Sequence, residues 1–357
     1  MDRCTSCGKG CGPPDFKECW AYNQVIPGAL IHTNGTFFVY VAGQDYDGTD
    51  GGGRARIGIA HGPSLTNLTL EHDFLIEGTP GMADERSVFP NGALELANGS
   101  IAMTYMGQNH NDTWGGIFLA TSNCPLGCPW QKHGPVLSCA LGSAAPDICA
   151  ASKTHHPAIH EHDLVQLENG TFVIFYAGNL PAGDQGYIAT SEDLLTWHNF
   201  PGNPAMPLPI KECGQYPDSM CWDGGHRRPR SLYRHGDYWY LIYEGTNQIS
   251  WTGPNGAWGD TVGLLRSRDI EGPWVERHPL QISIPPQADP SFDSTWTGWP
   301  RAYVDNASGE VQVLYAAGGR GMKNSTMHPY ASTGLRRWSL DRLGQWTPTA
   351  VPWQGAA

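Results

Sequence analysis

No stretch of this 357-residue chain stays apolar for the roughly 18 residues that a membrane-spanning helix requires. Basic residues are scarce as well: 22 Lys and Arg stand against 34 Asp and Glu, for a formal charge of −12. Nucleic acid and anionic membrane surfaces need a basic face, so neither is an expected partner. Helical apolar periodicity is also rare, which argues against an α-rich fold. Residues 1–20 lack the apolar core of a signal peptide, so any leader is expected to lie upstream or to have been removed.

What the chain does contain is 45 Gly, 28 Pro and 38 Phe, Trp and Tyr, a composition that suits short strands and many turns. The segment HRRPRSLYRHGDYWYLIYEG, from His226, reads as a β-hairpin turning at His235-Gly236. GLLRSRDIEGPWVER, from Gly263, reads as a second hairpin that completes a four-stranded unit. The first hairpin recurs from Pro27, Pro90, His162 and Pro300, and the second from Gly58, Gly116, Gly186 and Tyr330. The turn glycines Gly35, Gly99, Gly170, Gly236 and Gly309 are spaced by 64, 71, 66 and 73 residues. Four strands at that period predict an all-β, five-bladed β-propeller. It is expected to occupy residues 22–357 as one domain, behind a Cys-rich segment 1–21.

Ten cysteines fall into a cluster (Cys4, Cys7, Cys11, Cys19) and the local pairs Cys124/Cys128, Cys139/Cys149 and Cys213/Cys221. The cluster could be a zinc knuckle. Disulfides are the preferred reading, because the other six pair locally without a histidine companion and the context looks secreted. Seven glycosylation sequons, at Asn34, Asn67, Asn98, Asn111, Asn169, Asn306 and Asn324, agree with an extracellular location. For Asn34, Asn98 and Asn169, Asn-Gly turn geometry alone is a competing explanation.

In such a ring the starts of the first strands, the loops after the second strands and the inter-blade loops share one face. Those loops are long and decorated: GQDYDGTDGGG from Gly43, SKTHHPAIHEHD from Ser152, CWDGGHRRPR from Cys221 and DPSFDSTWTGWPR from Asp289. A ligand site is expected there.

The five-repeat order, the TSEDLLTW and SRDIEGPW motifs and the NGTF and GDYW hairpins resemble the five-bladed propeller glycoside hydrolases, the clan of arabinanases, β-xylosidases, invertase-type fructosidases and mannoside phosphorylases. The resemblance spans about residues 22–345 and is specific to the fold rather than to a substrate. It implies three funnel carboxylates, many of them at or near the position preceding the strand-opening proline. This chain departs from that pattern, with Ile26, Phe89, His156, Arg228 and Trp299 before those prolines.

The nearest acids are Glu85, the pair Glu161 and Asp163, then Glu244, Asp45, Asp47 and Asp293. Hydrolysis needs two carboxyls flanking the bond, so the catalytic pair is expected among Glu161, Asp163 and Glu244, with Asp45 in reserve. Histidine beside them, His160 above all, could act as acid or base. Around the same strand starts gather His155, His156, His162, His226, Arg227, Arg228, Arg230, Arg301 and Arg86. Arginine forks recognise carboxylate, so His156, His226, Arg227, Arg228, Arg301 and Arg86 are candidate contacts to an anionic sugar such as a uronate. The alternative is a buried inter-blade network in which Arg227, Arg228 and Arg301 pair with Glu85, Glu161 and Asp163.

His160 and His162 share a strand face and could ligate zinc only with a third ligand, so no metal or other cofactor is expected beyond a structural Ca²⁺ or water on the axis. Trp114, Trp222, Trp251, Trp258, Trp296 and Trp299 lie where a ring could stack on a sugar, while Trp197, Trp274 and Trp338 read as inter-blade packing. Three functions compete: a secreted glycoside hydrolase on an oligo- or polysaccharide, a lyase on a uronate-containing glycan using His and Arg, and a non-catalytic carbohydrate-binding propeller. Unequal loops count against the last, and the hydrolase is the favoured expectation.

Overall fold

The computed structural model describes residues 24–44, 54–109, 114–151, 159–208, 223–246, 261–274, 276–277, 296–318, 332–339 and 349–350. The Cys-rich segment 1–21 lies outside them, as do Asp45, Asp47, His155, His156, Asp293 and the Cys213/Cys221 pair. Among the described residues the fold is all-β with one short helix, and it is built from antiparallel sheets that follow one another along the chain.

The first sheet runs β1 (Gln24–Thr33), β2 (Thr36–Gln44), β3 (Ala55–Ser64) and β4 (Asn67–Leu70). The second runs β5 (Ser87–Glu95), β6 (Ile101–Gln108), β7 (Trp114–Ser122) and β8 (Gln131–Leu137). After α1 (Pro146–Ala151) come β9 (Ile159–Gln166), β10 (Phe172–Leu180), β11 (Gly183–Ser191) and β12 (His198–Asn199). The next sheet is β13 (His226–His235), β14 (Tyr238–Thr246), β15 (Thr261–Ser267) and β16 (Glu276–Arg277), joined to β11 by one parallel pair, Asp184 with His226. The last is β17 (Trp296–Asp305), β18 (Glu310–Gly318) and β19 (Ser332–Ser339), while β20 (Thr349–Ala350) pairs with β16. No helix among the described residues is long and apolar enough to cross a membrane.

The five repeated hairpins form where the sequence places them, and all five turn glycines take left-handed φ values between +57° and +94°. Strands alternate buried aliphatic and aromatic residues on both faces, so each sheet buries both sides. Ile57, Ile59 and Tyr40 share a core with Tyr105 and Phe118 of the next sheet. Ile117 and Leu119 share one with Ile174 and Tyr187, and Phe175 and Ile188 with Leu241 and Tyr243. Ile242 and Leu264 join Val311 and Val313, and Val39 and Val41 of the first sheet join Leu314 of the last. Trp197 and Trp274 are buried in this inter-sheet packing, as expected.

The first strands pack side by side, β1 on β5, β5 on β9, β9 on β13, β13 on β17 and β17 on β1. They crowd tightly: a Cβ at Gly28 would sit 2.1 Å from the Pro90 carbonyl oxygen, so only glycine fits there. The ladder slips by one residue just after the strand-opening prolines, at Gly28, Asn91 and Arg230, and it slips at the matching place in β9 and β17. Such a bulge re-aims the extra side chain. Asn91 and Arg230 are buried where the first strands meet. The local disulfides Cys124–Cys128 and Cys139–Cys149 are formed.

Candidate functional site

A cluster of buried charge fills the starts of β9, β11 and β13 and the end of β14. Arg230, fully buried, donates from one nitrogen, Nη2, to Glu161 Oε1 at 3.0 Å and to Glu244 Oε2 at 2.9 Å. Arg228 donates from Nε to Asp184 Oδ2 at 2.6 Å and from Nη1 to Glu244 Oε1 at 3.1 Å. The Trp299 amide also donates to Glu244 Oε2, at 2.9 Å, and reaches it by taking a left-handed φ of 47°. Glu244 therefore answers two guanidinium groups and a backbone N–H. Burial alone would raise its pKa, but Arg230, Arg228 and that amide outweigh burial and hold it below the usual range.

His160 stands between two carboxylates: Nε2 lies 3.2 Å from Asp184 Oδ1, and Nδ1 faces Glu161 Oε2. Burial lowers the His160 pKa, and the Asp184 carboxylate opposes that shift. His226 Nδ1 is 2.8 Å from the other oxygen of Asp184. Burial pushes the Asp184 carboxyl up, but His160 and Arg228 dominate and keep it well below the ordinary carboxylate value.

Glu161 Oε2 faces His160 Nδ1 and has no hydrogen-bond partner among the described residues. At the solvent edge of the cluster Arg228 and His226 keep 13% and 16% of their side chains exposed, against 9% or less for His160, Glu161, Asp184 and Glu244. Trp299 is half-buried, with the Arg230 guanidinium 5.2 Å from its ring centre.

Other expected site residues are engaged elsewhere. Arg227 grips Asp223 Oδ2 at 2.9 Å and the Pro207 carbonyl at 2.9 Å, while Tyr243 donates to the same Asp223 oxygen at 2.7 Å. Arg301 donates to Asn91 Oδ1 at 2.9 Å and to the His162 carbonyl at 3.3 Å, and its Nη1 lies 3.8 Å from Asp163. Asp163 accepts from the Leu232 amide at 2.6 Å and stands apart from the Glu161–Glu244 pair. Burial pushes its carboxyl up to about 6, the His162 imidazole down to about 3 and the Arg301 guanidinium down to about 9.

Asp163 and Arg301 line a cavity of about 170 Å³ to which all five first strands contribute. Of its lining residues, Asp163 and Ser231 have oxygen-bearing side chains. No group of three or more metal-binding side chains occurs among the described residues. Arg86 enters the fold through its amide, which donates to the Gln108 carbonyl. Glu85 accepts from the Gly81 amide in the preceding turn. His156 lies outside the described residues, and of Trp296 only the backbone is described.

Two residues of the buried network carry no repeat signal: Asp184, at the start of a third strand, and Asp223. The charge-free neighbourhood of Asp184 in GNLPAGDQ gave no cue. Arg230 was visible as one of a basic run but not as the hub of the acid pair.

No family model matches the chain, and no curated protein matches it. Solved structures do. The chain is 14% identical to a glycosyl hydrolase from Bacteroides ovatus, with 93% of this chain and 87% of that one covered and a TM-score of 0.64. An exo-1,5-α-L-arabinanase from a bovine ruminal metagenomic library is 16% identical over 92% and 96% of the two chains, with a TM-score of 0.60. A member of the GH130 family of mannoside phosphorylases, described as containing glycoside hydrolases that target β-1,2 mannosidic linkages in Candida mannan, is 15% identical over 93% and 87%, again at 0.60. The chain shares the fold of these propeller glycoside hydrolases.

Proposed function

We propose that this protein is a secreted glycoside hydrolase, built as a single five-bladed propeller, that cleaves a uronate-containing oligo- or polysaccharide. The circular packing of the first strands and the core shared by the last and first sheets support the five-bladed ring. The two local disulfides support the extracellular setting.

The observation that carries the reaction is the shared donor of Glu161 and Glu244. Two oxygens bound to one nitrogen lie no more than about 6 Å apart, which brings the two carboxyls close enough to flank one glycosidic bond. In this reading Glu161, whose Oε2 faces His160, acts as the acid to the leaving oxygen, while Glu244, held below the usual carboxylate range by Arg230 and Arg228, acts as the nucleophile. His160, flanked by Asp184, orients Glu161. Arg228 covers Glu244 Oε1 from the solvent side. A substrate carboxylate offers Arg228 a new bidentate partner, and its swing uncovers Glu244. Trp299 supplies a ring face for the sugar.

The lyase reading has one observation in its favour, the pairing of Arg228 with His226 at the exposed edge, where arginine could neutralise a uronate and histidine remove its proton. One assay separates the two. The protein is incubated with neutral and uronate-containing oligosaccharides while reducing ends and the ultraviolet absorbance of unsaturated uronate are followed. New ends without absorbance, abolished by Glu161→Gln and Glu244→Gln, support hydrolysis. Absorbance rising with the ends means a lyase, and binding without either product leaves a carbohydrate-binding propeller.

A further inference from the structure

We infer that the end of the fold carrying the first-hairpin turns is an N-glycan-bearing surface with five attachment points: Asn34, Asn67, Asn98, Asn169 and Asn306. Seven of the 16 asparagines lie in Asn-x-Ser/Thr, where 43 Ser and Thr in 357 residues would place about two by chance. Asn111 and Asn324 lie outside the described residues; the other five are all described and all exposed.

Their placement is one-sided. Asn34, Asn98, Asn169 and Asn306 sit in the turns joining β1 to β2, β5 to β6, β9 to β10 and β17 to β18. Asn67 opens β4, next to the turn after β3. The first strands run parallel, because they touch in the same order at both ends: Arg230 with Glu161 at their starts, Arg234 with Glu168 and Tyr303 with His32 near their turns. β3 runs back beside β2, with Gln44 opposite Ala55 and Phe37 opposite Gly62, which brings its far turn to the same end. Five steps of extended strand, about 17 Å, run from Glu161 to Gln166 before the chain enters the turn that holds Asn169. The five sequons therefore crowd the end opposite the buried charge cluster.

Turn chemistry accounts for part of the pattern: Asn34 takes a left-handed φ of 51°, and the Ser100 and Ser308 hydroxyls donate to Asn98 Oδ1 and Asp305 Oδ2. It does not call for the hydroxyls of Thr36, Thr69 and Thr171; that of Thr171 bonds outward to Glu192 Oε1. The equivalent β13–β14 hairpin turns equally well through His235-Gly236-Asp237 with no sequon, and Asn67 and Asn306 are followed by Leu and Ala. Among the described residues none of the five Nδ2 amides is committed to a hydrogen bond, so a sugar on any of them displaces no contact of the folded chain.

In the modification, Nδ2 takes the place of pyrophosphate at the anomeric carbon of a polyprenyl-pyrophosphate-linked oligosaccharide. The C–N bond forms as the C–O bond to pyrophosphate breaks, and one amide proton leaves. Transfer occurs on the unfolded chain; the fold's contribution is to leave all five products in solvent.

The test is secretion of the full chain from a eukaryotic host, followed by glycopeptide mapping after enzymatic release of the glycans in heavy-oxygen water. Four or five of these asparagines should be occupied, and three or fewer overturns the inference. Because an Asn substitution can disturb a turn, Ser100→Ala and Thr171→Ala supply a second reading: each keeps its asparagine turn and should yield folded protein lighter by one glycan. Unchanged masses would overturn the assignment of those sites.

Discussion

Glu161 and Glu244 accept hydrogen bonds from the same nitrogen, Arg230 Nη2, at 3.0 and 2.9 Å. One guanidinium thus fixes both the separation of two carboxyls from different sheets and the charge that surrounds them. If these are the acid and the nucleophile, Glu161→Gln and Glu244→Gln should each lower kcat by about 10²–10⁴-fold, measured on folded protein. A loss confined to KM, with kcat intact, would remove both from the chemistry.

Arg230→Met tests the same hub for stability. It strands two buried carboxylates, so the cost should reach about 3–5 kcal/mol in denaturant unfolding. An additional Glu244→Gln should recover part of that loss, because it discharges one of the stranded groups. A neutral result for Arg230→Met would mean that solvent reaches the cluster.

Arg228 is the outermost cation of the site, and Arg228→Lys separates positioning from charge. Lysine keeps the charge but loses the two-pronged grip on Asp184 and Glu244. Preference for uronate over neutral oligosaccharides, measured as kcat/KM, should fall by roughly 10–100-fold at about 1–3 kcal/mol for the lost fork. Equal loss on both substrates would show that Arg228 positions the acids without reading the sugar.

Asp163 and His162 give opposite pH dependences. Burial raises the Asp163 pKa from 3.8 to about 6, so its contribution is fully present below pH 3.8 and is lost as pH rises through 6. Burial lowers the His162 pKa from 6.5 to about 3, so the unfolded chain takes up the proton first and stability is lost as pH falls below 6.5. Between about pH 4 and 6 the two slopes oppose each other at about 1.4 kcal/mol per pH unit each. Asp163→Asn keeps an acceptor for the Leu232 amide and removes one slope. It should be more stable than the parent at pH 8 by up to about 3 kcal/mol, with the gain fading toward pH 4. A gain independent of pH would mean that Asp163 does not titrate in this range.

Gly28→Ala probes the crowding of the inner strands. The new Cβ would press within 2.1 Å of the Pro90 carbonyl, and backbone cannot step aside as a flexible side chain can. Destabilisation by at least about 1–3 kcal/mol is expected in thermal or chemical unfolding.

Much of this molecule is local and therefore written in the chain. Runs of β-favouring residues, turn glycines at near-constant spacing and local cysteine pairs act over a few residues, so they specify the five hairpins, the all-β class and the two described disulfides. The gathering of His160, Glu161, Arg228 and Glu244 was legible for the same reason: each sits at a repeated strand end, and repetition puts such ends together.

Which of those groups touch was not legible. Arg230 holds Glu161 across 69 residues because a one-residue bulge turns it inward, and Asp184 joins the site only because β11 lies beside β13. Arg227 and Arg301 look alike in the sequence to Arg228, yet the first is spent on Asp223 and the second on Asn91 and Asp163. Composition sets how much charge the chain must place. Only the tertiary structure, by burying some guanidinium groups against carboxylates and leaving others at the edge, decides which charges neutralise one another and which remain to act on a ligand.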